Sequence, residues 1–242
     1  RGKILRVDLT RGRVETQDLP EKVAKDYIGG RGLGIYYLNQ ECDPTCDPLS
    51  PDNVLVMAAG PLTGTPAPTG ARYMVVTKSP LSGAVTCSNS GGQFPATLKK
   101  CGYDVVIFTG RAPSPCYLWI DDDHAELRDA GHLWGRNTHA TTDALLAETH
   151  EKARISCIGP AGEKQVLFAS IMNDKDRAAG RSGVGAVMGA KNLKAVAVHS
   201  DGSVPLADEP RFKEVNKAIL SHFREVTKGT PLGLRVNGTA GV

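Results

Sequence analysis

Arg177-Ala-Ala-Gly-Arg-Ser-Gly-Val-Gly-Ala-Val-Met-Gly-Ala-Lys-Asn-Leu-Lys194 runs directly into the apolar stretch Ala195-Val-Ala-Val198, and sets four glycines and four cations within eighteen residues. Backbone so rich in glycine can bring N–H groups close to a large anion, while Arg and Lys supply charge. The run therefore reads as a loop for a phosphate-bearing ligand, set before a last strand at Leu193–Val198. Its spacing is not that of the common nucleotide loops. Gly180-Arg-Ser-Gly-Val-Gly185 lacks the GxGxxG order, and no Gly-Lys-Ser/Thr follows.

Working outward, short apolar runs separated by turn residues dominate. Lys3–Leu9 and Val14–Leu19 flank a turn at Gly12 and predict a β-hairpin. Helices are expected from Pro20 to Ile28 and from Leu33 to Gln40. Strands are expected at 53–59, 72–78, 84–88, 104–109, 116–120, 124–128 and 154–158, with an extended run at 166–172 and helices at 94–100 and 141–150. This pattern predicts an α+β, mostly β-sheet domain. From Ser200 the character changes. Pro205–Pro210 reads as a connector, and Phe212, Val215, Ile219, Leu220 and Phe223 recur at helical spacing. Residues 1–208 are thus expected to form one domain and 209–242 the start of a helical one, with a glycine-rich tail from Gly229, so that the chain reads as the N-terminal portion of a longer protein.

Composition narrows the function. With 242 residues and 40% apolar content the chain can bury a large core. No run reaches the roughly 18 apolar residues of a membrane span, and the first residues lack a signal-peptide core, so a cytoplasmic location is expected. A net charge of +3, with the cations dispersed among 26 acids, shows no nucleic-acid footprint. The six cysteines read as reduced thiols. Cys42-Asp-Pro-Thr-Cys46 is the one close pair, and without a second pair or nearby histidine it reads as two ordinary thiols rather than metal or cluster ligands. The histidines show no ligand spacing, and Trp119 and Trp134 read as core.

No catalytic set stands out, so binding is the expected activity. Ser88-Asn-Ser-Gly-Gly92 and Asn173-Asp-Lys-Asp-Arg-Ala-Ala-Gly180 combine side-chain donors with glycine at strand ends, and Thr69-Gly-Ala-Arg72 adds an arginine at the start of a strand. Taken singly, each reads equally as a turn or a solvated cation. Three at strand ends favour a ligand site.

The motifs Ala58-Ala-Gly-Pro-Leu-Thr-Gly-Thr65, Ala67-Pro-Thr-Gly-Ala-Arg-Tyr73, Thr77-Lys-Ser-Pro-Leu-Ser-Gly83, Asn89-Ser-Gly-Gly92, Gly102-Tyr-Asp104, Ile158-Gly-Pro-Ala-Gly-Glu163, Ile171-Met-Asn-Asp174 and Arg177–Lys194 occur in order. Together they resemble the N-terminal domain of the aldehyde ferredoxin oxidoreductases over about Lys3–Asp208. The resemblance implies the base for a bis-pterin cofactor of tungsten or molybdenum. Carried over by residue, Arg72 would lie between one pterin and a 4Fe-4S cluster, Asn89 and Gly91 would hold one pterin phosphate, and Arg177, Ala178 and Gly180 the other. The carbonyls of Asn89 and Ala178 would bind a magnesium ion bridging the phosphates. The cluster's cysteines and the acid/base residues would lie beyond residue 242, and no cysteine here matches a cluster position. The implied reaction is oxidation of a small aldehyde to a carboxylic acid, with electrons passing to ferredoxin, in an anaerobe's homo-oligomeric enzyme. Related substrates include aromatic thioesters and sugars. Two other readings remain open from the residues: a non-catalytic phosphate- or nucleotide-binding module, and a structural or dimerising domain.

Overall fold

The runs Val54–Ala59, Val105–Phe108 and Ala195–Val198 are apolar at every position, which a strand tolerates only where both of its faces are covered. The computed structural model, which describes residues 2–228, shows why. In chain order the elements are β1 (Lys3–Asp8), β2 (Arg13–Asp18), α1 (Glu21–Tyr27), α2 (Arg31–Glu41), β3 (Leu55–Ala59), β4 (Tyr73–Lys78), β5 (Val85–Ser90), α3 (Phe94–Lys100), β6 (Tyr103–Thr109), β7 (Cys116–Asp121), β8 (His124–Asp129), α4 (Thr138–Glu148), β9 (Arg154–Cys157), α5 (Pro160–Glu163), β10 (Ile171–Asn173), β11 (Arg177–Ala179), α6 (Val184–Ala190), β12 (Leu193–His199) and α7 (Glu209–Val226).

The strands form two six-stranded sheets, ordered β2-β1-β6-β3-β4-β5 and β11-β10-β9-β12-β7-β8. Each is antiparallel except for one parallel pair, β1 with β6 and β12 with β7. Side chains of alternating parity face opposite ways. Leu5, Val7, Leu55, Met57, Val106 and Phe108 meet Leu118, Ile120, Val196 and Val198 in one central core, to which α3 and α6 add Phe94, Leu98, Val187 and Met188. The opposite parity of the first sheet, Ile4, Val56, Val105 and Ile107, packs under Leu33, Tyr37 and Leu38 of α2. That of the second, Tyr117, Trp119, Ile155 and Ala195, packs under Leu145 of α4. The fold is α+β, as expected.

The chain divides into two compact units, one of residues 1–65 and 70–204, the other of 66–69 and 205–242. The described part of the second is chiefly α7, capped by Asp208, whose Oδ1 accepts from Arg211 N at 2.9 Å. Its residues Val215, Ile219, Leu220 and Phe223 are exposed. The tail from Gly229 lies outside the described residues. No described helix is long and apolar enough to cross a membrane.

The structure corrects several expectations. Val184–Ala190 is not loop but helix, entirely buried. A Cβ on Gly189 would overlap the Gly162 carbonyl, and one on Gly185 would overlap that of Ser170, so these glycines let α6 lie against the neighbouring backbone. Gly183 caps the helix at φ 71°. The extended run expected at 166–172 shrinks to Ile171–Asn173. It is preceded by a turn closed by Ala169 N donating to Val166 O at 2.8 Å, which leaves Leu167 and Phe168 exposed. α4 begins three residues early, at Thr138, because Asn137 Oδ1 accepts from Ala140 N. Trp119 is core as expected, whereas Trp134 is only half-buried.

The two lysines of the glycine run are also structural. Lys194 is fully buried against Glu163 and donates to Arg136 O at 2.9 Å. Lys191 Nζ donates to the carbonyls of Asn53, Gly110 and Pro51. Burial lowers the Lys191 pKa from the ordinary 10.5 to about 8. Below pH 8 both folded and unfolded chains carry the charge. Between about 8 and 10.5 only the unfolded chain keeps the proton, so this residue makes stability rise with pH in that window. The rise is on the order of 3 kcal/mol. Denaturant titrations across pH 7–11 should therefore show the difference in unfolding free energy between wild type and Lys191→Met shift toward wild type from pH 8 upward. A pH-independent difference would contradict the assignment.

Candidate cofactor-binding site

Edge strands carry one row of backbone groups that no sheet neighbour takes up. β5 ends the first sheet and β11 begins the second, and the two lie side by side. This seam brings the expected site residues together from three parts of the chain. Arg72 leads into β4, Asn89 sits near the end of β5 opposite Met74, and Arg177 and Ala178 open β11. The strand expected to stop before Asn89 continues through Ser90, paired with Tyr73.

Beneath the seam a polar network fixes the registration. Ile171 and Asn173 share the inward parity of β10, and both are fully buried. The Asn173 amide donates to Ser90 Oγ at 2.8 Å and to Gly91 O at 3.4 Å, and its Oδ1 accepts from Tyr73 OH at 2.9 Å. Tyr73 OH also lies 3.4 Å from Ser156 Oγ on β9. Burial pushes the Tyr73 phenol up to about 12, so it remains a donor throughout the physiological range. Asp174 then turns the chain at φ 47° and its Oδ2 accepts from Gln93 N at 2.8 Å and Phe94 N at 3.0 Å. A residue eighty positions away thus caps α3, whose own N-cap residue makes no side-chain cap bond. Arg181 N donates to Ser88 Oγ at 3.1 Å.

Above the network the surface is cationic. Arg72, Asn89, Arg177, Ala178, Gly180 and Arg181 are all exposed. Arg72 Nη1 donates to Asn89 Oδ1 at 2.9 Å, which orients the guanidinium along β5. A Cβ on Gly91 would fall 3.2 Å from Ala71 O and 3.5 Å from the Arg72 side chain. The Arg177 side chain lies across Gly92, with its Cγ 3.1 Å from where a Cβ would sit. Its ion-pair partner is the neighbouring Asp176, at 4.0 Å with both groups exposed, a separation that holds little energy. Gly180 is different from the glycines of α6. A Cβ there would meet only Ala178 Cβ, at 3.6 Å, and its φ is outside the left-handed region. Neither packing nor backbone conformation of this chain requires glycine at 180. Exposed arginines, glycines that leave backbone approachable and carbonyl-bearing sheet edges suit an anionic group accompanied by a hard cation.

Residues 4–200 match the family model for the N-terminal domain of aldehyde ferredoxin oxidoreductase. The chain belongs to the aldehyde ferredoxin oxidoreductase family. It is 54% identical over 224 residues to the tungsten-containing aldehyde ferredoxin oxidoreductase of Pyrococcus furiosus, covering 92% of this chain and 37% of the relative. The Thermococcus kodakarensis enzyme of the same name is 51% identical, with the same coverage. The solved active-site complex BamBC of benzoyl coenzyme A reductase, bound to 1,5-dienoyl-CoA, superposes with a TM-score of 0.92 at 37% identity, over 96% of this chain and 35% of that one. The chain thus spans little more than a third of the length of these family members.

Within this family domain, sequence reading named the exposed residues of the seam and missed what supports them. Ser156 lies in no motif, and the motifs that contain Tyr73 and Asn173 do not show that the two side chains are buried against each other. The signal available was parity, since Asn173 shares a strand face with Ile171.

Two predictions follow from the geometry. Gly189→Ala should destabilise the fold by about 3 kcal/mol or more through overlap with backbone, while Gly180→Ala should change it by less than about 0.5 kcal/mol. Denaturant midpoints of the two variants would separate these; similar losses would mean that Gly180 is structural. Asn173→Leu leaves Ser90 Oγ without its amide donor and Tyr73 OH with only the longer contact to Ser156, and should cost on the order of 3 kcal/mol, read by the same titration.

Proposed function

We propose that this chain is the cofactor-cradling N-terminal part of an enzyme that oxidises aldehydes to carboxylic acids with a tungsten or molybdenum bis-pterin, passing electrons through an iron–sulfur cluster to ferredoxin. The observation that carries the reading is the seam itself. Arg72 and Asn89 converge with Arg177, Ala178 and Gly180 on one exposed face, beside the buried Gly91, and among the described residues Gly180 has no packing role. The tungsten and the aldehyde substrate in the names of the relatives that are 54% and 51% identical support the metal and the reaction.

In this reading Asn89 and Gly91 hold one pterin phosphate, and Arg177, Ala178 and Gly180 hold the other. The missing side chain at 180 would admit phosphate oxygens to the backbone there. Arg177 adds planar donors whose charge persists at every accessible pH. The carbonyls of Asn89 and Ala178 would hold a magnesium ion, in keeping with a hard cation's preference for oxygen. Arg72, held by Asn89, would face a pterin and the iron–sulfur cluster. When bound, the cofactor supplies the two-electron oxidation of the aldehyde with water, and the protein supplies position and electrostatics. We place the enzyme in the cytoplasm of an anaerobe, as a homo-oligomer. Reduction of an aromatic thioester is the second reading, favoured by the benzoyl coenzyme A reductase superposition.

Anaerobic purification of the full-length protein, with elemental analysis and pterin fluorescence after oxidative release, is the direct test. Stoichiometric tungsten or molybdenum together with pterin is expected, and phosphate-bearing ligand with neither would overturn the reading. Arg177→Ala should lower metal and pterin retention at least severalfold relative to Arg136→Ala, because Arg136 lies outside the seam. Equal retention would refute the phosphate assignment.

A further inference from the structure

α2 ends at Glu41, and the chain leaves it through Cys42-Asp-Pro-Thr-Cys46, a loop pinned from several sides. Asp43 Oδ1 accepts from Thr45 N at 2.7 Å and from Thr45 Oγ1 at 2.6 Å. These bonds hold the Asp43 carboxyl below its ordinary range. Cys46 N donates to Asp43 O at 3.1 Å. Lys78, at the end of β4, reaches across to donate to Pro44 O at 2.7 Å and Cys46 O at 2.6 Å. The folded loop brings the two sulfurs to 3.6 Å, and Cys42 Sγ also lies 3.7 Å from Asn53 Oδ1. Both cysteines are half-buried, whereas Cys101, Cys116 and Cys157 are buried. A cavity of about 260 Å³, lined by Leu38, Asn39, Cys42, Pro44, Lys78 and Val85 among others, opens onto Cys42 and not onto Cys46.

We propose that Cys42 and Cys46 are a reversible dithiol–disulfide modification site, oxidised by a low-molecular-weight disulfide that reaches Cys42 through this cavity. The inference is independent of the cofactor reading. The sulfurs must close from 3.6 Å to about 2.05 Å, a movement within reach of side-chain rotation. The Cys42 thiolate attacks one sulfur of the small disulfide and expels the first small thiolate. The Cys46 thiolate then attacks Cys42 Sγ and expels the second. Two protein thiols lose two electrons, the small disulfide gains them, and the two protons pass to the released thiols. Burial, with the Cys42 contact, pushes the Cys46 thiol up to about 11. Cys46 is therefore the poorer first nucleophile at neutral pH. Once Cys42 is in the mixed disulfide its contribution is gone, and the Lys78 ammonium remains to favour the Cys46 thiolate.

The test uses the full-length protein, reduced and then equilibrated anaerobically with oxidised glutathione before alkylation and trypsin digestion. Both cysteines fall in one tryptic peptide, Gly32–Arg72, which contains no internal Lys or Arg. Oxidised wild type should yield that peptide two hydrogens lighter and without alkyl label, and dithiothreitol should restore both labels. Cys46→Ser should instead trap a single glutathione adduct on Cys42. Full alkylation of both residues after oxidant, an adduct stalled on Cys46 in wild type, or a disulfide between chains would each overturn the proposal.

Discussion

One buried amide holds the two sheets in register at the edge where the candidate site residues meet. Asn173, on the second sheet, spends both ends of its side chain on the first, accepting from Tyr73 and donating to Ser90 and Gly91. Sheets that meet only through apolar contacts have a broad choice of offsets, because such contacts are non-directional. A buried amide has few, because each unmade bond in that position costs on the order of 1–3 kcal/mol. The adjoining Asp174 repeats the constraint by capping α3, so two consecutive residues of one turn tie the second sheet to both β5 and the helix that follows it. The position of Arg177 relative to Arg72 is a consequence of these bonds.

Glycine serves opposite ends on the two sides of this seam. In α6 it is a packing residue. Gly185 and Gly189 let the helix rest on the backbone of Ser170 and Gly162, and a side chain at either would push against atoms that cannot move aside. At 180 the described chain leaves room that it does not fill, whereas at the buried Gly91 a Cβ would come against Ala71 O and the flexible Arg72. Composition treats all of these alike.

That difference explains which parts of the molecule were legible beforehand. The opening hairpin, the runs buried on both faces and the amphipathic α7 are set by local period and turn chemistry, and they stand where expected within a few residues. Val184–Ala190 was misread because glycine lowers helix propensity by about 1 kcal/mol per residue. Tertiary contact overrode it, since only glycine admits the close approach. The short β10 and β11 depend on pairing with β9 and with each other and have too few residues to announce themselves. The exposed residues of the site were named through the family resemblance. Their meeting was not readable, because it rests on which strands end each sheet, a property of pairings up to a hundred residues apart.

The distribution of cations completes the argument. Within the run Arg177–Lys194 the two lysines are withdrawn into the core, Lys191 onto three carbonyls and Lys194 onto Glu163 and a carbonyl. A compact ammonium with three donors suits such convergent carbonyls. The two arginines stay outside, Arg177 with only a weak, exposed partner and Arg181 fully at the surface. A guanidinium is planar, weakly hydrated and charged at any accessible pH, so it costs less to strip of water against a planar or phosphate-bearing group than an ammonium would. A sequence that looked uniformly basic is therefore sorted by the fold. Lysine's charge is taken into the core, and arginine's charge is left at the seam with only Asp176 paired to Arg177 among the described residues. An anionic group bound there would meet one guanidinium, that of Arg72, already oriented by Asn89, and a second, that of Arg177, free to turn toward it.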